Sequence, residues 1–141
     1  AMVAATVANK GEQMTPYLVS RILDPDLNEV SSTSTKVART PIDSATASSL
    51  SSLMQTAVAE GTGTSAQVSG VQVAGKTGTA ETGTDSGPTT WFVGFAGTDI
   101  DKPEIALAVV LDGNAETEDG ATGGKIAGPV AAQVIDAAVN Q

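Results

Sequence analysis

The chain predicts an α+β fold, and three features carry that expectation. Residues 71–81, 90–97 and 104–111 are rich in β-branched and apolar side chains, and the short Gly, Asp and Pro links between them suit antiparallel hairpins better than helical crossovers. Residues 45–59 and 126–139 instead repeat apolar positions at helical spacing. With 141 residues there is room for one core, so three antiparallel strands should pack with the helices as a single unit.

Taken in order, residues 2–9 read as the end of a helix, with Met2, Ala5, Ala8 and Asn9 on one face and Gly11 as its stop. The chain is therefore expected to begin inside an element. Residues 17–23 are a β-favouring run after Pro16, closed by a turn at Asp24-Pro25-Asp26. The Ser/Thr-rich residues 31–40 have no period and read as a surface loop with one edge strand around Val37. Asp43 is placed to cap a helix whose stripe is Leu50, Leu53, Met54, Ala57 and Val58, with Gly61 ending it.

A small, polar connector at 62–70 leads into the three strands. The last strand is nearly all apolar, as expected of one buried on both faces. Residues 112–124 form an acidic, Gly-rich loop. In the closing helix Ile126, Val130, Val134 and Ala138 recur beside Ala127, Ala131, Ile135 and Val139, with Pro129 tolerated in the first turn. That helix should lie across the sheet.

Composition removes several functions. Seven basic against 16 acidic residues leave a net charge of −9, which opposes binding to nucleic acid or to anionic membrane surfaces. With neither cysteine nor histidine, thiolate catalysis, disulfides, Cys/His zinc sites and imidazole triads all fall away; no metal and no cofactor are expected. No apolar run approaches the roughly 18 residues needed to span a bilayer, and no charged-then-apolar leader opens the chain.

The chemistry-bearing string is Gly75-Lys76-Thr77-Gly78-Thr79, and it can be read in two ways. Residues 70–77 satisfy the phosphate-loop pattern G-x-x-x-x-G-K-[ST], and Ala108-Val109-Val110-Leu111-Asp112 resembles the strand whose Asp holds magnesium. A phosphate loop needs a strand before its first Gly and a helix opening at its Lys. Here β-branched residues fill the supposed loop, and Gly78, Gly83, Gly87 and Pro88 break any helix after Lys76.

The other reading places Lys76 to Thr79 on a strand beside a cleft, like the K-T-G element of penicillin-recognising serine enzymes. Lys76 brings a charge that biases a nearby hydroxyl or amine and attracts a carboxylate, and Thr77 and Thr79 offer it hydroxyls. Gly78 lets a peptide lie against the strand, with the Thr79 amide facing a developing oxyanion. Strict alternation sends Lys76 and Gly78 to one face and the threonines to the other, so a twisted edge strand is needed to bring both sets to the rim.

Residues 4–11 (AATVANKG), 15–19 (TPYLV), 61–64 (GTGT), 73–81 (VAGKTGTAE) and 91–97 (WFVGFAG) fall in a shared order and spacing. In these segments the chain resembles the C-terminal part of the transpeptidase domain of class B penicillin-binding proteins. TPYLV, KTGTAE and an ATGG element at 121–124 make it most similar to their A type. The resemblance implies a peptidoglycan D,D-transpeptidase acting on stem peptides and inhibited by β-lactams, in cell division or cell shape, at the extracytoplasmic face of a bacterial membrane.

By the same resemblance Lys76 and Thr79 are catalytic, Thr77, Gly78 and Thr79 bind substrate, and Trp91 is either a cleft wall or a packing residue. The family's S-x-x-K and S-x-N are missing: the nearest string, Thr33-Ser34-Thr35-Lys36, has threonine for serine. Residues 1–141 are thus expected to be the C-terminal portion of one domain, inactive alone, whose N-terminal remainder carries the serine and a membrane anchor. A noncatalytic sensor-type module that binds penicillin or peptide is the alternative.

Overall fold

The computed structural model describes residues 1–81, 87–113 and 120–140. Its centre is a three-stranded antiparallel sheet in the order β5-β6-β7, formed by Gln72–Ala80, Thr89–Gly97 and Ile105–Leu111. The three expected strands are present within two residues at each end. Register runs unbroken from Gln72 opposite Gly97 to Ala80 opposite Thr89, and from Ala96 opposite Ile105 to Thr90 opposite Leu111.

Helices cover both faces. On one, α3 (Ala127–Val139) and a short 3-10 turn (Thr64–Ala66) enclose Val73, Phe92, Ala96 and Leu107. On the other, α1 (Met2–Ala8) and α2 (Ser44–Ala59) meet Ala74 and Phe95. Small side chains let the first face pack closely: the Phe92 ring lies over Gly75, where a Cβ would stand 2.2 Å from its Cζ. Gly75 is therefore needed for contact rather than for a turn.

Three expectations about buried faces change. In α1 the buried residues are Ala4, Thr6 and Val7, not the Met2/Ala5/Ala8/Asn9 stripe, because α1 packs against α2 and the β6–β7 side. In α3 the buried residues are Ala127, Gly128, Ala131 and Ile135, while Val130 and Val134 face out. Strand β7 is not buried on both faces: Leu107 is its one buried residue, since β7 has a strand on one side only and, on the face away from α3, the short α1 leaves Ala108 and Val110 exposed.

Asp43 caps α2 as expected, its Oδ1 accepting from the Thr46 amide at 2.7 Å, and that donor holds its carboxyl below the usual range. Gly11, at φ +97, follows the first helix, where a Cβ would meet the Ile42 carbonyl oxygen. Between α1 and α2 the chain leaves the body as a two-stranded ribbon. Its strands are β1 (Gln13–Met14), β2 (Arg21–Leu23), β3 (Glu29–Ser32) and β4 (Val37–Arg39), paired β1-β4 and β2-β3.

The turn at the ribbon's tip is tied by Asp24, whose Oδ1 accepts from the amides of Asp26 and Asn28. The edge strand around Val37 is there, but residues 31 and 32, expected in a loop, belong to β3. The expected 17–23 run is strand only at 21–23. Residues 82–86 and 114–119 of the expected links fall outside the described residues.

Candidate active site

Lys76 to Thr79 lie in β5: Gly70 sits in a tight turn at φ +76, the chain is already strand from Gln72, and no helix opens at Lys76. The phosphate-loop geometry is absent, and the strand reading stands. Having β6 on one side only, β5 is an outer strand of this sheet. Its side chains alternate as the pattern requires.

Lys76, Gly78 and, across the register, Val93 and Trp91 share the α1/α2 face. There Lys76 borders an apolar cavity of about 340 Å³ with Val3, Val7, Leu50, Leu53 and Met54, and its ammonium donates to the Thr77 carbonyl oxygen at 2.7 Å. Leu50 and Leu53, expected in the core, line this open hollow instead; Leu53 is 67% exposed. A charged amine is thus presented at the lip of an apolar wall.

Trp91 stands directly opposite Gly78, and a Cβ on that glycine would lie 3.3 Å from the Trp91 Cβ. The indole is 40% exposed and does not line the cavity beside Lys76. Gly78 keeps the strand's surface flat beside it.

Thr77 and Thr79 point to the α3 face, and both hydroxyls are met from behind. Thr77 is 9% exposed, with its Oγ1 2.6 Å from Thr62 Oγ1, whereas the exposed Thr79 Oγ1 accepts from the Gly123 amide at 3.2 Å. Gly123 presses on the strand itself: a Cβ there would lie 2.5 Å from the Gly78 carbonyl oxygen and 2.4 Å from that of Trp91. Gly124 is similarly close to the Thr62 carbonyl, and its own carbonyl accepts from Ser65 Oγ.

A strap of residues 123–124 therefore braces the back of the Lys76–Thr79 segment. The segments GTGT and ATGG stood out in the sequence only as likenesses; nothing in their spacing foretold that they clasp β5. Beside the strap, Thr90 Oγ1 is buried without a partner among the described residues. No group of three acidic, His or Cys side chains able to hold a metal occurs among the described residues.

The outer strand thus carries an amine at an apolar lip on one face and two hydroxyls met by neighbours on the other. The chain belongs to the penicillin-binding protein transpeptidase domain family, whose model matches residues 1–136. Within that family it is similar to the A type. It is 38% identical over its whole length to peptidoglycan D,D-transpeptidase PbpA of Mycolicibacterium smegmatis, and 40% identical over 99% of its length to PbpA of Mycobacterium tuberculosis.

Among solved structures, penicillin-binding protein A of M. tuberculosis as a ceftriaxone acyl-enzyme superposes with a TM-score of 0.83 and 39% identity over 97% of the chain. The chain spans 28% of the length of each PbpA relative and 31% of that solved chain.

Proposed function

We propose that residues 1–141 form the C-terminal portion of one transpeptidase domain and supply the substrate-holding side of a peptidoglycan D,D-transpeptidase site. The observation that supports it most is the braced outer strand: Lys76 at an open cavity with Gly78 on the same face, and the Thr77 and Thr79 hydroxyls on the other face, each met by a neighbour. With no S-x-x-K and no S-x-N in these residues, the nucleophile and its base come from another part of the protein. That serine-bearing part would seat against the cavity lined by Leu50, Leu53 and Lys76.

In this reading the serine oxygen attacks the carbonyl carbon between the two D-alanines of a stem peptide. The C–N bond breaks, the terminal D-alanine leaves with the proton taken from the serine, and the acyl group then passes to an amine of a second stem peptide. Lys76 steers the terminal carboxylate and favours the reactive form of neighbouring groups, and Thr77 binds that carboxylate. Gly78 admits the peptide backbone, the Thr79 amide faces the oxyanion, and Trp91 walls the cleft. A β-lactam opens on the same serine and stays attached. The work would take place outside the cytoplasmic membrane, in cell-wall synthesis.

Fluorescent penicillin tests this on residues 1–141 alone and on the complete domain. Covalent label on the complete domain, none on the isolated residues and heavy loss with Lys76→Ala is the expected result. Reversible binding without label would make the protein a noncatalytic module, and label on the isolated residues would sink the half-site reading.

A further inference from the structure

We propose that Thr62 is a positioning residue for substrate binding: its hydroxyl donates to Thr77 Oγ1 and so frees the Thr77 proton for the substrate's carboxylate. The inference rests on the transpeptidase reading and adds to it a residue from outside the strand.

A threonine hydroxyl has one proton and two lone pairs. In the pair at 2.6 Å either oxygen can be the donor, so the two arrangements differ in what Thr77 shows the cleft. If Thr77 donates to Thr62, only lone pairs remain toward an arriving carboxylate, and they repel it. With Thr62 donating, the Thr77 proton is free to meet the anion, and two hydroxyl dipoles in series point the same way.

The neighbouring threonine supplies the precedent within the same site. Thr79 Oγ1 accepts from the Gly123 amide, and a backbone N–H can only donate, so the Thr79 proton is already left for another acceptor. Both hydroxyls are thus served by a donor from behind, one fixed and one adjustable. Thr62 has little freedom to leave its place. Its carbonyl is pressed by Gly124, which Ser65 holds in turn, and Gly63 closes the preceding turn through its amide to the Ala57 carbonyl at 2.9 Å.

The test compares second-order acylation of the complete domain by penicillin G and by its methyl ester, which lacks the carboxylate charge. Thr62→Val removes the donor that orients and polarises the Thr77 hydroxyl, and should slow penicillin G by roughly threefold to tenfold while changing the ester less than about twofold. Thr62→Ser should restore the rate, and Thr62→Val added to Thr77→Val should cost nothing further. Thr62→Ala repeats the comparison if the valine variant folds poorly.

Equal slowing of acid and ester, or full additivity with Thr77→Val, would show a purely structural role and overturn the inference. Unchanged acylation by Thr62→Val in a domain that otherwise reacts normally overturns it alone. A wild-type domain inert to both compounds overturns the transpeptidase reading, and the inference with it.

Discussion

The two faces of the β5–β6–β7 sheet are built from similar residues and end in different states. On the α3 face Phe92, Ala127, Ala131 and Ile135 are fully enclosed, and glycines let backbones and rings touch. On the α1/α2 face Phe95 and Ala74 are enclosed, but an apolar hollow stays open beside Lys76. One face is finished from these residues, and the other leaves its apolar wall uncovered where the amine stands. The finished face makes the strand rigid; the unfinished one is where a second surface can be added.

The largest effects should come from breaking the finished face. Ile135→Ala removes a fully buried side chain and should cost about 3 kcal/mol, read by urea unfolding of the complete domain. A loss below about 1 kcal/mol would mean that α3 does not carry the core. Next, Lys76→Ala should cut penicillin acylation by about 10²-fold or more while leaving the urea midpoint nearly unchanged, since this partly exposed side chain packs little. Wild-type acylation in that variant would remove Lys76 from the mechanism. A smaller effect is expected at Thr90, whose buried hydroxyl has no partner among the described residues: Thr90→Val should be neutral or stabilising by up to about 1 kcal/mol. Clear destabilisation there would point to a partner for that hydroxyl.

The same contrast explains what could be read from the sequence. The strands of the sheet were legible because each β-branched run is bounded by Gly, Pro or Asp, and α2 because Asp43 announces its start. Which stripe of a helix is buried was not legible in α1 or α3. Their Ala and Val residues offer two nearly equal apolar stripes, and only the packing of neighbours chooses between them. The ribbon strands β1 to β4 are short and their residues mostly exposed, so no burial pattern marks them.

Of the candidate site, Lys76 to Thr79 declared themselves as a string. Thr62 and Gly123 did not, because they reach the strand from 15 and 44 residues away.

The least effect, and the sharpest probe of how the open face is held, concerns acid. Helix α2 lies on that face with Leu50 and Leu53 uncovered, so part of its anchorage comes from its capped N-terminus rather than from burial. The Thr46 amide lowers the Asp43 carboxyl below its ordinary value of 3.8, so near that pH the folded chain binds this proton less readily than the unfolded one. The cap's contribution is therefore complete above the unfolded value and disappears as pH falls through the lower, folded one.

Asparagine caps a helix about as well and does not titrate. The difference in stability between wild type and Asp43→Asn, followed by circular dichroism from pH 6 to pH 2, should thus be flat down to about pH 4 and then move against the wild type. Subtracting the two curves removes the titration of the other carboxylates, Asp24 among them, which is lowered chiefly by the Asn28 side chain at the far end of the ribbon. A difference curve flat to pH 2 would show that α2 is held by its packing on β5 alone. The open face would then owe nothing to its cap.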